Sequence, residues 1–115
     1  MTEREQAAVV GTEIRALATE LVMAWRQRDR MTQTVEVEVC GLRVVAMQNQ
    51  SARGKRRVKF AALFPGTPLY GQYIRSNVVR TNVGISGMVR AAMVVVEYAG
   101  NYAQAAMMEA MEKHV

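Results

Sequence analysis

The sequence predicts an α+β fold: an N-terminal helix, a three- to four-stranded antiparallel meander sheet and a long C-terminal helix, in two layers. Apolar residues recur at helical spacing near both ends of the chain, whereas in its middle they alternate with polar residues as strands do. The chain has 115 residues, half of them hydrophobic, which is enough for one core and too few for two. We therefore expect a single domain over residues 1–115.

The first helix is predicted to run from about Glu3 to about Gln27. Thr2 and Glu5 form a capping-box pattern at its start, in which each side chain would satisfy a free backbone amide. Its apolar face carries residues spaced by three and four: Val10, Ile14, Leu17, Leu21 and Trp25. Cations near a helix C-terminus interact favourably with the last carbonyls, and we interpret three arginines there as capping residues rather than ligand contacts: Arg26, Arg28 and Arg30.

From Thr32 the period changes to two, which predicts a first strand with one buried face. Cys40 and Gly41 then form a two-residue turn to a second strand. In that turn Cys40 would be an exposed thiol without an activating base nearby in sequence. The turn sets four pairs of opposite residues: Val39 with Leu42, Val37 with Val44, Val35 with Ala46 and, on the outer face, Glu38 with Arg43.

Two further strands follow. The polar stretch from Gln48 to Lys55 is predicted to be a loop, and alternation from Val58 to Phe64 predicts a third strand that Pro65-Gly66 ends. Residues Tyr73 to Arg80 are predicted to form a fourth strand. Its two faces would carry Ile74, Ser76 and Val78 on one side, and Tyr73, Arg75, Asn77 and Val79 on the other.

The last helix is predicted from Ser86, its N-cap, to Met111, with a kink or early stop conceivable at Gly100. This helix is apolar on several sides, and four apolar residues fall on the outer face of the sheet: Val45, Met47, Ala61 and Leu63. We therefore expect a homo-oligomer or a protein partner, unless the first helix and the long loop cover this surface. The predicted interface residues are Met88, Val95, Met107 and Met111.

A net charge of +5 and a pI near 9.9 favour an anionic partner: nucleic acid, anionic lipid or an acidic protein. Cations cluster at one predicted hairpin, where an arm could neutralise several phosphates. The candidate nucleic-acid-binding residues are Arg53, Lys55, Arg56, Arg57 and Lys59, with Arg75 as an extension. The alternatives are a solvated turn that protects a sheet edge, or contact with an acidic protein surface.

Two weaker motifs accompany this arm. Tyr70 and Tyr73 lie in or beside a loop and are better placed to stack on bases than Phe60 and Phe64, although a packing role is favoured for all four. The segment from Gly84 to Gly87 precedes a helix and could bind an anion at the free amides, a pattern that is common by chance.

Signals for catalysis are poor. The sole histidine, His114, is next to the last residue, so no histidine cluster for a metal or a nucleophile can be assembled within one chain. We predict no cofactor, no membrane span and, from the lone Cys40, an intracellular, cytoplasmic location. The leading hypothesis is a non-enzymatic, dimeric domain that binds DNA or RNA. The alternative is an inhibitor or adaptor that docks on an intracellular protein.

Overall fold

The computed structural model describes residues 3–50 and 56–113, and confirms the predicted α+β fold. Two helices pack on one face of a four-stranded antiparallel sheet whose strands lie in chain order. The elements are α1 (Glu3–Gln27), β1 (Thr34–Val39), β2 (Leu42–Gln50), β3 (Arg56–Leu63), β4 (Tyr73–Arg80), a 3₁₀ turn (Thr81–Val83) and α2 (Gly84–Glu112). The bounds predicted for α1 and β4 are confirmed, whereas the predicted capping residue Thr2 lies outside the described residues.

The β1–β2 hairpin has the predicted register in all four pairs. Cys40 and Gly41 both have positive φ, 51° and 84°, as a two-residue turn matching the strand twist requires. The exposed ion pair of this hairpin joins Arg43 Nε to Glu36 Oε2 at 2.7 Å, rather than joining Arg43 to the directly opposite Glu38. This hydrogen bond and the Glu36 charge raise the pKa of Arg43.

The β2–β3 hairpin is longer than predicted. The loop was expected to begin at Gln48, but β2 continues to Gln50 because Gln48 pairs with Val58 and Gln50 with Arg56. Polar residues can extend the ladder here because strand pairing depends on backbone groups. At this end of β2 no helix covers the helix-facing side, so polar side chains are tolerated there. The tip of the hairpin, residues 51–55, lies outside the described residues.

A register shift between Ala62 and Leu63 alters the predicted faces of β4. Tyr73 was expected on the same face as Arg75, but it packs with Leu63 on the outer face of the sheet. Ile74 packs instead into the core between sheet and helices. The irregularity adds a residue to one strand, so side chains on its two sides no longer follow one alternation.

The main core lies between the helices and the sheet. It includes fully buried Leu21, Val44 and Phe60, together with the small residues of α1 and α2 that let the helices approach the strands. Met88 and Val95 were predicted at an interface between chains, and this assignment needs correction. Both are buried against the sheet within one chain, because they lie on the stripe of α2 that faces the strands.

A second, smaller cluster covers the outer face of the sheet. Its four buried members are the residues expected to be exposed: Val45, Met47, Ala61 and Leu63. Leu69 and Tyr73, in and just after the loop between β3 and β4, pack against them. The alternative in which the long loop covers this face is therefore correct, and the sheet no longer supplies an argument for a partner.

Helix α2 begins two residues before the predicted Ser86, and Val83 at its N-cap makes no side-chain capping hydrogen bond. The helix continues through Gly100 without a stop. Its buried residues end at Ala99, and every residue from 104 to 113 is exposed. By length and composition alone the segment Thr81–Glu112 could cross a membrane, a property shared by core helices of soluble proteins. The expected absence of a membrane span stays a prediction.

Candidate nucleic-acid interface

Three parts of the chain meet at one end of the sheet: the C-terminal end of α1, the end of the β2–β3 hairpin where Gln50 pairs with Arg56, and the N-terminal end of α2. We call this the basic end, since arginines predominate there. The antiparallel meander explains the convergence. The strand β4 ends beside the start of β3, where Arg57 pairs with Arg80, and the chain then turns directly into α2.

A cleft of about 640 Å³ opens between these parts, and we call it the arginine cleft. Trp25 of α1 and Met88 of α2 contribute its apolar wall, and Gly84 places the first turn of α2 at its edge. Among the described residues that line it, none is acidic. Its cations are Arg26, Arg28, Arg30, Arg56 and Arg57.

Arg28 is held against the end of α1 by two contacts. Its guanidinium carbon lies 3.3 Å from the centroid of the Trp25 ring, and its Nη1 donates a hydrogen bond of 2.7 Å to the Trp25 carbonyl oxygen. Partial burial lowers the pKa of Arg28, but a guanidinium remains protonated at neutral pH. The predicted capping role is thus present for Arg28, and the same side chain also lines the cleft.

Two groups of hydrogen-bond donors lie at the cleft: the side chain of Arg57 and the backbone amides of the first turn of α2. The Nε of Arg57 is buried and has no acceptor among the residues that the structure describes. Leaving a charged donor buried and unpaired is costly, so an anionic oxygen that reached it through a movement of the side chain would be favourable. The first turn of α2 brings the positive end of a helix dipole to the cleft, and no side chain caps it.

Asp29 is the acid nearest to these arginines in sequence, and it is engaged in local hydrogen bonds. Its Oδ1 accepts from the Thr32 hydroxyl at 3.0 Å and from the amides of Met31 and Thr32, each at 2.9 Å. These hydrogen bonds, that from the Thr32 side chain first, lower the pKa of Asp29. The carboxylate thereby shapes the connection from α1 to β1 and does not line the arginine cleft.

A second cleft, of about 560 Å³, adjoins the first, and we call it the tyrosine cleft. It is lined by Tyr70, Tyr73, Met47 and Lys59, and by the connection from α1 to β1. The Lys59 ammonium lies 4.5 Å from the centroid of the Tyr73 ring. Residues that line both clefts are Arg28, Arg30 and Gln48, so the two form one continuous surface around the basic end.

The predicted nucleic-acid-binding residues lie at different places in the structure. Arg56 and Arg57 line the arginine cleft, whereas Lys59 lines the tyrosine cleft. Arg53 and Lys55 lie outside the described residues.

Arg75 does not extend this site. It pairs with Ala62, towards the opposite end of β3, and its guanidinium carbon lies 4.7 Å from the centroid of the Tyr98 ring on α2. It lines neither cleft. The prediction for Arg75 is therefore corrected: the antiparallel register places it several residues away from the hairpin tip.

Of the predicted interface residues, the structure leaves two available to a partner. Met107 and Met111 are 63% and 65% exposed, on the part of α2 that extends past the core. Met108, which the prediction did not include, is exposed with them.

The sequence analysis did not place the arginines at and after the end of α1 in the candidate site. Arg26, Arg28 and Arg30 were interpreted as capping residues, and in the structure all three line the arginine cleft. The segment Gly84–Gly87 was considered as an anion-binding loop. In the structure these residues are the first turn of α2, and Gly84 lines the arginine cleft.

Within residues 3–50 and 56–113, no group of three or more His, Cys, Asp or Glu side chains is arranged to hold a metal ion. Comparison of the chain with protein-family models, curated proteins and solved structures gave no match.

Proposed function

We propose that this protein binds nucleic acid, with the phosphate backbone in the arginine cleft. The observation that carries the proposal is the convergence of five arginines, from α1, its following connection and β3, on one cleft whose described lining has no acid. Like charges around one cleft repel one another, and a bound anionic ligand would offset this repulsion. Guanidinium groups also match phosphate oxygens in geometry, donating two parallel hydrogen bonds.

The shape of the site favours a polymer over a single small anion. The arginines come from separate segments and surround a cleft far larger than one phosphate requires. Gly84 places the amides at the start of α2 beside them, where a further phosphate oxygen can accept. In sequence, Arg53 and Lys55 come just before Arg56 and Arg57, so the cluster of cations in this segment is larger than the two that line the cleft.

The test is a salt series of binding measurements on a labelled single strand and a labelled duplex, followed by fluorescence anisotropy. For a single strand, the slope of log affinity against log salt should fall by about 0.7 for each phosphate contact removed, and for a duplex by about 0.9. The double substitution Arg56→Gln/Arg57→Gln should therefore reduce the single-strand slope by about 1.4.

The matched control is Arg15→Gln/Arg90→Gln, which removes the same number of charges from exposed positions that line neither cleft. We expect it to change the slope far less. An equal change in the two double variants would show that only net charge matters, and would contradict binding in the arginine cleft. Absence of binding at low salt would contradict the proposed function itself.

Trp25 offers a readout from the cleft that needs no label. It is the only tryptophan of the sequence, it lines the arginine cleft, and Arg28 lies against its ring. Binding should change its fluorescence intensity or emission maximum with the same affinity that anisotropy gives. Unchanged Trp25 emission at saturating nucleic acid would place the bound polymer elsewhere on the protein.

A second candidate function, docking on a protein partner, has one observation in its favour. The end of α2 presents Met107, Met108 and Met111 to solvent, and flexible thioethers suit adaptable interfaces. Self-association through this end would give the predicted dimer. Native mass spectrometry across a concentration series tests it, with Met107→Gln/Met111→Gln expected to shift a dimer to monomer. A monomer at all concentrations would exclude the homodimer.

A further inference from the structure

We propose that the tyrosine cleft receives unpaired bases, so that the protein binds single-stranded nucleic acid in preference to a duplex. This inference depends on the proposed function, because it assigns the bases of a strand whose phosphates lie in the arginine cleft. It adds the class of nucleic acid, which the arginines alone do not determine: phosphates are common to single strands and duplexes.

Tyr70 is the residue that points to stacking. It is 75% exposed, although a large ring of this kind is more stable when covered. It lies at the third position of a turn that the Gly71 amide closes with a 3.0 Å hydrogen bond to the Pro68 carbonyl oxygen. The Tyr73 hydroxyl holds the same turn by donating to the Leu69 carbonyl oxygen at 3.1 Å.

The ring is thus presented to solvent on a loop that these two hydrogen bonds hold together. A fixed platform loses little conformational entropy when a base stacks on it, which favours binding. The neighbouring Tyr73 already has the Lys59 ammonium over its ring. Tyr70 is therefore the ring with free faces for a base.

The remaining lining of the tyrosine cleft suits a base and its connection to the backbone. The carboxamides of Gln33, Gln48 and Asn49 can donate to and accept from base edges. Met47 supplies an apolar floor. A base inside a duplex presents no free face, so Tyr70 can stack only on an unpaired base, whose pairing edge is then open to the carboxamides.

The two clefts also suit different parts of a nucleotide chain: the charged backbone and the neutral bases. Arg28 and Arg30 line both clefts and can hold a phosphate between them. Asp29 lines only the tyrosine cleft, where its carboxylate would repel a phosphate but tolerate a neutral base. The strand should therefore have its backbone in the arginine cleft and its bases turned towards Tyr70.

The experiment compares Tyr70→Ala with the wild type on four probes of about 12 nucleotides, a length within the site sizes of single-strand binders. The probes are oligothymidylate, oligouridylate, an abasic strand with the same phosphates, and a duplex. We expect Tyr70→Ala to weaken binding of the two strands with bases by ~5- to 10-fold, and to leave the abasic strand and the duplex unchanged.

Two controls separate stacking from other effects. Tyr70→Phe keeps the ring and should bind like the wild type, whereas Tyr98→Ala removes an exposed tyrosine that lines neither cleft and should also have no effect. A loss with Tyr70→Phe equal to that with Tyr70→Ala would assign the effect to the hydroxyl group and would overturn stacking. Because Tyr70 is exposed, Tyr70→Ala should leave the melting temperature unchanged.

The failure of this inference is distinguishable from failure of the proposed function. Equal affinity of wild type and Tyr70→Ala for all four probes, with the salt slope still reduced in Arg56→Gln/Arg57→Gln, would overturn only the base contact. Absence of binding to every probe would overturn both. Tighter binding of the wild type to oligothymidylate and oligouridylate than to the abasic strand and the duplex would support the inference.

Discussion

Gly100 and Gly87 lie in the same helix, and their surroundings predict opposite effects of one added methyl group. At Gly100, an added Cβ would meet no atom within 4 Å. Alanine is favoured over glycine in a helix interior by about 0.8–1.0 kcal/mol. Gly100→Ala should therefore raise the free energy of unfolding by about 1 kcal/mol and the melting temperature by about 4 °C.

At Gly87, the added Cβ would lie 2.7 Å from Val83 Cγ2 and 2.9 Å from Val83 Cβ. Carbon atoms pack favourably at about 3.5–4.0 Å, so the 3₁₀ turn before α2 would have to move by about 1 Å. Overpacking of this kind costs about 1–3 kcal/mol, which exceeds the gain in helix propensity. Gly87→Ala should lower the free energy of unfolding by up to about 2 kcal/mol.

The assay is urea and thermal unfolding followed by circular dichroism. The double variant Val83→Ala/Gly87→Ala removes the closer clashing atom and should recover part of the loss. If Gly87→Ala stabilised the protein as much as Gly100→Ala, the close approach of Val83 to α2 would be refuted. If Gly100→Ala destabilised it, the space beside Gly100 would not be open in solution. The movement of the 3₁₀ turn would also displace Gly84, which follows it and lines the arginine cleft. Gly87→Ala should therefore also weaken nucleic-acid binding.

Three further changes have expected outcomes. Cys40 has a positive φ of 51°, so Cys40→Asn, which suits that conformation, should raise stability by about 1 kcal/mol in urea unfolding; an unchanged midpoint would contradict the cost assigned to the turn. Asp29→Asn should strengthen single-strand binding in anisotropy, because it removes a carboxylate that repels phosphate. The same variant tests a pH dependence of stability. Since hydrogen bonds lower the pKa of Asp29, the stabilisation by its carboxylate is present above about pH 4 and is lost as the pH falls through that lowered pKa. The stability difference between wild type and Asp29→Asn should accordingly shrink in acid, and a difference that grows would show the sign to be wrong. A chain ending at Ala103 should keep its melting temperature and its nucleic-acid affinity, because residues 104–113 are exposed; a large loss of stability would show that the end of α2 contributes to folding.

Much of the fold follows from periodicity. The alternation from Val35 to Val39 and the glycine of the turn determine the β1–β2 register, because a slip of one residue would expose every valine. The bounds of α1 follow in the same way from its apolar stripe. The coverage of the outer face could not be predicted, since Leu69 comes from an irregular segment that has no period to detect.

Only part of the candidate site could be predicted from the sequence. The cations at the hairpin are visible as a cluster in the chain, but the arginine cleft also needs α1 and α2, which lie far from the hairpin in sequence. Their meeting depends on the direction of each strand and on where each helix ends. The same geometry explains the error at Arg75, whose charge was counted without regard to its position along β4.

The length of α2 separates the two candidate surfaces in space. Its 29 residues begin at the arginine cleft and end with the exposed methionines, a span of about 43 Å at 1.5 Å per residue, in a domain whose longest dimension is 52 Å. Groups this distant contribute additively when both are changed. If nucleic acid and a partner bind where we propose, a strand at one end leaves the other end unobstructed, and the helix holds the partner at that distance from the nucleic acid.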